Sequence, residues 1–136
     1  MVLHAPGPFS RDRLDRTSCR KMLENAEFAR VVLSVRCLPS AHVVRCEIAD
    51  DTIYLASDEH DVIAAARHSD VVTVQADGVD SEGRRWSVQA TGLAYLATHD
   101  DLRLAATPRS LLYAPRGLTG AVIGVPMTLL RGTTLE

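Results

Sequence analysis

What this chain lacks narrows it quickly. No apolar run reaches the roughly 18 residues that a membrane-spanning helix needs, and none follows a basic N-terminal stretch, so neither membrane insertion nor secretion is expected. Lysine is almost missing: Lys21 stands alone among 15 basic residues, and 17 acidic residues leave a formal net charge of −2. Nucleic-acid binding calls for clustered positive charge, so that class of partner is not expected. Cysteine occurs three times, at Cys19, Cys37 and Cys46, with no C-x-x-C pair. That spacing excludes a disulfide framework or zinc ribbon and points to a reducing compartment, with the cytoplasm as the expected location.

Catalytic signatures are missing too. There is no G-x-S-x-G, no G-x-x-x-x-G-K-[ST] and no G-x-G-x-x-G, so hydrolase-elbow, P-loop and dinucleotide-fold chemistry have no support. The five histidines (His4, His42, His60, His68, His99) are scattered. Asp58, His60 and Asp61 crowd one turn, but at a helix start they read more simply as dipole partners than as metal ligands. No metal site is expected, and no residue presents itself as a catalytic acid or base.

What is present is a chain of 136 residues with 46% hydrophobic and 24% charged residues, enough for one domain with its own core. Residues 1–13, with two prolines and no periodicity, read as a flexible arm, and 14–136 as the domain. Cys19, Met22, Leu23 and Ala26 fall on one helical face, which predicts a helix over 18–27 capped by Thr17 or Ser18. Arg30–Arg36 is a β-branched strand, and Leu38-Pro39-Ser40 is expected to turn the chain. His42–Ala49 and Thr52–Ser57 form a hairpin across Asp50-Asp51.

A second helix, capped by Ser57 or Asp58, buries Val62, Ile63 and Ala66. Val71–Asp77 and Trp86–Thr98 are strands joined by a loop over Gly78–Arg85. Gly92 marks a bulge or a close backbone approach. Asp101–Leu112 is expected to be helical and interrupted by Pro108, followed by a loop holding Pro115, Gly117 and Gly120. Ala121–Arg131 is a last strand, demoted to an edge or bulge by Pro126. The tally of about six strands with two or three short helices predicts a mainly β (α+β) domain closed, or nearly closed, as an antiparallel barrel.

Ile53–Asp77 is the most telling stretch. It sets a strand end, a hydroxyl at Ser57 and a helix N-terminus side by side, an arrangement suited to an anion.

The run V-V-L-S-V, L-P-S-A-H-V-V-R, D-D-T-I-Y-L-A-S-D, V-I-A-A-A-R, D-V-V-T-V-Q-A-D and W-S-V-Q-A-T-G-L-A-Y-L is similar to the pyridoxamine 5′-phosphate oxidase-like, flavin-binding split-barrel proteins. The resemblance spans about residues 18–132. It implies a six-stranded antiparallel split β-barrel that forms a homodimer, with two flavin clefts at the interface. Carried over residue by residue, it implies Val43, Val44 and Arg45 and the Leu55–Ala56–Ser57 backbone near the ring and ribityl chain. His60 and Asp61 then flank the phosphate, and Trp86 and Ser87 come from the partner side. Positions that carry basic residues in relatives are Ala56 and, at the helix opening, Val62, while Gly124 replaces an arginine of the last strand. Arg45, Arg67 and Arg84 or Arg85, together with a protonated His60, are the remaining candidate cations.

Two functions follow as expectations. One is a flavin-dependent oxidoreductase holding FMN, or a deazaflavin, and acting on a small molecule. The other is a split-barrel homodimer that has lost its flavin and binds a different ligand or partner.

Overall fold

The computed structural model describes residues 11–26, 28–98, 100–101 and 121–135. Nine strands and two helices lie among them, in the order β1 (Arg11–Arg13), α1 (Arg16–Glu24), β2 (Phe28–Val35), β3 (Leu38–Ala49), β4 (Thr52–Ser57), α2 (His60–Arg67), β5 (Val71–Val79), β6 (Arg85–Leu93), β7 (Tyr95–Leu96), β8 (Ala121–Pro126) and β9 (Leu129–Leu135).

Every strand pairing is antiparallel, and the sheet runs β1-β9-β6-β5-β2-β3-β4-β8-β7. Four of these strands are halves of two bent segments. β6 and β7 are one stretch broken at Ala94, and β8 and β9 are one stretch broken at Met127-Thr128. Because β6 pairs with β9 while β7 pairs with β8, the apparent ends of the sheet are joined through the bends. Counted as segments, the ring is β2, β3, β4, β8/β9, β6/β7 and β5: a six-part antiparallel barrel, as expected, with β1 added outside it.

The bends are pinned by the backbone. Ala94 N–H donates to the carbonyl of Asp70 at 2.9 Å, and Met127 N–H to that of Asp51 at 2.8 Å. Arg16 also donates to the Met127 carbonyl, at 2.7 Å. At the crossing of the bent segments, a Cβ on Gly92 would collide with the carbonyl oxygen of Pro126, so the glycine is there to admit a neighbouring backbone.

Alternation builds the core. Along β6, Trp86, Val88, Ala90 and Gly92 face inward, while Arg85, Gln89 and Leu93 face out. Ile53, Leu55, Val74, Val88 and Val125 are fully buried inside the ring. The helices plug opposite ends: Arg20 of α1 reaches Asp51, just before β4, at 2.9 Å, and α2 follows the other end of β4. Cys19 and Leu23 of α1, and Val62, Ala65 and Ala66 of α2, complete the core. Cys46 is buried as well, and burial pushes its thiol up to about 11, so it behaves as a core residue.

Several boundaries differ from the sequence reading, each for a local reason. α1 begins at Arg16, because Asp15, ahead of Thr17 and Ser18, accepts the Ser18 N–H at 2.8 Å and serves as the cap. The β2–β3 turn uses Arg36 and Cys37, at φ 52° and 68°, instead of Leu38-Pro39-Ser40. Two left-handed residues match the twist of a two-residue hairpin. Pro39 fits inside β3 because its nitrogen faces away from β2. α2 takes Glu59 as its cap position, with no side-chain bond, in place of Ser57 or Asp58.

The long strand expected over Trp86–Thr98 breaks at Ala94, and Leu96 is left exposed. The last strand is two strands, and Pro126, paired with Thr52, ends the first of them. Arg11–Arg13, read as part of an arm, pairs with Thr133–Leu135. Residues 1–10, the helix expected after Asp101 and the loop holding Pro115, Gly117 and Gly120 lie outside the described residues.

Gly92→Ala is expected to destabilise the protein by about 3 kcal/mol, because the obstacle is backbone and cannot swing aside. Urea denaturation measures this, and a wild-type midpoint would contradict the close approach.

Candidate ligand-binding corner

The corner arises from a mismatch in strand length. β3 pairs with β4 only over Arg45–Ala49, because β4 stops at Ser57 and the chain leaves as α2. The remaining half, Leu38–Val44, has β2 on one side. Among the described residues it has no strand on the other. In a two-residue hairpin the closing pair is hydrogen-bonded and pairs alternate from there, so Leu38, Ser40, His42 and Val44 bond to β2. Ala41 and Val43 therefore turn their N–H and C=O groups to the open edge, joined by the carbonyl of Pro39. That edge presents alternating donors and acceptors along a line, suited to a flat heterocycle.

Beside the edge stands the start of α2. Ser57 Oγ accepts the Glu59 N–H at 3.1 Å. With no side-chain cap from Glu59, the first-turn amides of His60, Asp61 and Val62 have no protein acceptor among the described residues. A groove of about 760 Å³ runs between α2 and the β2–β3 hairpin. Leu33, Val35, Ala64 and Ala65 line its apolar part, and Arg36, Ser40, His60, Asp61, His68 and Asp70 its polar part.

The residues singled out from sequence are distributed as follows. Val43 is 68% exposed on β3, Val44 beside it is buried, and Arg45 sits over the Phe28 ring at 5.6 Å while pairing in register with Ala56. Leu55 is wholly in the core, and Ala56 and Ser57 are half-buried. His60 is exposed and Asp61 half-buried at the groove. Val62 is 2% exposed and packs into the core, so it offers the corner only its amide.

Trp86 and Ser87 are elsewhere. They line a second groove, of about 600 Å³, with Asp77, Arg85, Gln89 and Arg131. Ser57 pairs with Ala121 at the start of β8, whereas Trp86 and Ser87 pair with Thr134 and Thr133 near the end of β9, so one chain alone does not bring Trp86 and Ser87 to the α2 corner.

Of the other candidate cations, Arg84 is engaged by Asp80 at 3.2 Å and Glu82 at 3.3 Å, and Arg67 lies at the far end of α2. Gly124 is covered by the ring of Tyr95, which crowds the space a Cβ would need. Tyr54, next to it in register, is buried, and burial together with a hydrogen bond to Tyr95 raises its phenol well above the ordinary value.

Sequence reasoning missed Arg36, Ser40 and His42. Ser40 Oγ and His42 Nε2 are 3.0 Å apart, two positions apart on one face of β3. The strand period could have paired them, had Ser40 not been assigned to a turn. No carboxylate bonded to the other ring nitrogen of His42 is recorded among the described residues, so the pair lacks the third group of a nucleophilic triad. No cluster of His, Cys, Asp and Glu among the described residues is arranged to hold a metal, and none of the described helices is long and apolar enough to cross a membrane.

The sequence pattern of the family described as "Pyridoxamine 5'-phosphate oxidase" matches residues 15–119. Solved structures share the fold over nearly the whole chain. The FAD binding protein from Mycobacterium smegmatis superposes with a TM-score of 0.70 at 21% identity, covering 91% of this chain and 97% of that one. A FAD-binding protein from Mesorhizobium loti gives 0.74 at 16% identity, over 93% and 99%. The FAD and heme binding protein from Mycobacterium smegmatis gives 0.71 at 12% identity, over 91% and 73%. No curated protein matches this chain.

The burial of Val62 makes a direct prediction. Val62→Lys is expected to cost roughly 3–5 kcal/mol in chemical denaturation, since it forces an ammonium into the core instead of adding a cation to the corner. Wild-type stability would show that this side chain does not face inward.

Proposed function

The chain belongs to the pyridoxamine 5′-phosphate oxidase family, and from that premise we propose that it binds a flavin at the β3–α2 corner and acts as an oxidoreductase on a small molecule. One observation carries the reading: the open edge of β3 at Ala41 and Val43, lying beside an apolar groove. The pyrimidine edge of an isoalloxazine ring presents carbonyl and imide groups in the alternation that this edge complements, so the residues present fit the ring. Leu33, Val35 and Ala64 supply an apolar wall that keeps water from the ring. When bound, the flavin supplies the redox chemistry, and the protein contributes position and electrostatics.

FMN is the form implied by the resemblance, with a deazaflavin as the other candidate. The two similar FAD-binding proteins support a flavin without choosing its form. The buried, unpaired thiols of Cys19 and Cys46 are in keeping with a cytoplasmic setting.

The active unit in this reading is a homodimer. Phe28, Val43, Val71, Val79, Leu93 and Leu129 are each more than half exposed on the outer faces of β2, β3, β5, β6 and β9. Val71 and Leu93 are register partners across β5 and β6, and an exposed apolar pair there supports a protein contact. In this reading, as the resemblance implies, Trp86 and Ser87 of a second copy complete the first copy's corner.

A second reading has its own observation. Asp58, Glu59 and Asp61 surround the start of α2, while Ala56 and Val62 bring no charge. On that reading the cleft has given up flavin and serves as a non-catalytic module for another ligand or partner.

The absorbance of purified protein between about 350 and 500 nm, with quenching of added flavin at micromolar concentration, tests the choice. A flavin spectrum or saturable quenching is expected. Colourless protein that quenches no flavin would leave only the second reading. Light scattering is expected to give twice the 14.8 kDa chain mass, and a monomer at all concentrations would remove the shared cleft.

A further inference from the structure

We propose that the groove along β6 and β9 is a binding site for a small carboxylate with an apolar body. Every group it uses belongs to one chain, so the inference goes beyond the flavin reading and does not rest on it. Alternation decides which side chains meet there. Arg85, Ser87 and Gln89 share the outer face of β6, and their register partners Leu135, Thr133 and Arg131 share that of β9. Asp77 and Val79 of β5 continue the rows of Ser87 and Arg85. Together these residues line the cavity of about 600 Å³, a size that suits a small molecule.

The polar groups converge as an oxyanion cradle. Ser87 and Thr133 stand directly opposite each other, with Cβ atoms about 5 Å apart, so both hydroxyls can serve one ligand group. Ser87 Oγ accepts from Gln75 Nε2 at 3.3 Å and keeps its own proton to donate. Arg85 is the diagonal neighbour of Thr133, and Arg131 that of Ser87, at about 7–8 Å, within reach of a long side chain. Two guanidiniums thus approach the hydroxyl pair from opposite ends. Arg84 is held by Asp80 and Glu82, whereas Arg85 and Arg131 have no ion pair or side-chain hydrogen bond among the described residues. A single exposed arginine is ordinary. Two around one hydroxyl pair in a concavity, in a chain of net charge −2, concentrate positive charge where the chain as a whole has none to spare.

The balance of charge selects the class of ligand. Asp77 is the one carboxylate among the lining residues, lies across from Ser87 and accepts from Gln75 at 2.9 Å. Against Arg85 and Arg131 it leaves one net positive charge in the groove. Arg13 pairs with Thr133 from β1 but does not line the groove, so it adds attraction at the rim. A monoanion balances the sum inside, whereas a phosphate dianion exceeds it and meets Asp77 at close range. The planar carboxylate also matches the guanidinium fork. Val79, Leu135 and Trp86 supply apolar surface for the rest of the molecule.

The experiment is an NMR titration of the wild-type protein with benzoate, its neutral counterpart benzamide and inorganic phosphate, without flavin. Benzoate is expected to shift the amide signals of Ser87, Gln89, Arg131 and Thr133 saturably, and to bind at least about ten-fold tighter than benzamide. Arg85→Gln and Arg131→Gln alter exposed side chains, and each is expected to weaken benzoate at least about five-fold while leaving benzamide unchanged. Shifts that do not saturate, benzamide binding as tightly as benzoate, or an affinity unmoved by both substitutions would overturn the proposal. Phosphate binding more tightly than benzoate would overturn it as well.

Discussion

Closure of the barrel depends on two chain segments that each change partner midway. Arg85–Leu96 leaves β9 for β8, Ala121–Leu135 leaves β4 for β6, and the two cross where the missing side chain of Gly92 lets the Pro126 carbonyl approach. A sheet edge exposes unpaired backbone groups, and this crossing removes two of them at once. The hydrogen bonds at Ala94 and Met127 hold the bends, and Arg16 and Arg20 tie α1 over the Met127–Asp51 side.

The same economy of edges makes the site conspicuous. Where the ring is closed, every strand has two neighbours. Where β4 gives way to α2 it is not, and half of β3 is left with main-chain groups turned outward beside a helix start. The groove there is apolar on one side and polar or charged on the other. Fold and local charge have separate origins in this arrangement. The backbone provides the strand edge and the helix start, while Asp58, Glu59 and Asp61 make that helix start acidic.

Much of the fold was legible in the chain. The alternation in Trp86–Ala94 and in Val71–Asp77, the hairpin over Asp50-Asp51 and the role of Gly92 all come from local pattern, and the structure agrees. The β2–β3 turn was not legible. Arg36 and Cys37 are not residues that favour left-handed backbone, whereas Pro39 is a familiar turn signal. The cap of α1 was misplaced because Asp15, Thr17 and Ser18 are all competent caps, and packing of Cys19 and Leu23 chose among them. At the site, the acidic helix start was visible in sequence. The groove was not, nor was the pairing of Ser40 with His42.

By itself, then, the sequence determined the type of nearly every described element and the acidic character of the start of α2. Those properties are set by neighbours a few residues apart. Tertiary structure alone decided that Val62 points into the core, that Trp86 and Ser87 lie near the other end of the β8/β9 segment from Ser57, and that Ala41 and Val43 are left with an open edge among the described residues. Each of these depends on which strands meet and where a strand stops. Contacts such as Ser57 with Ala121 and Thr52 with Pro126, far apart in the chain, decide that, and no local periodicity records them.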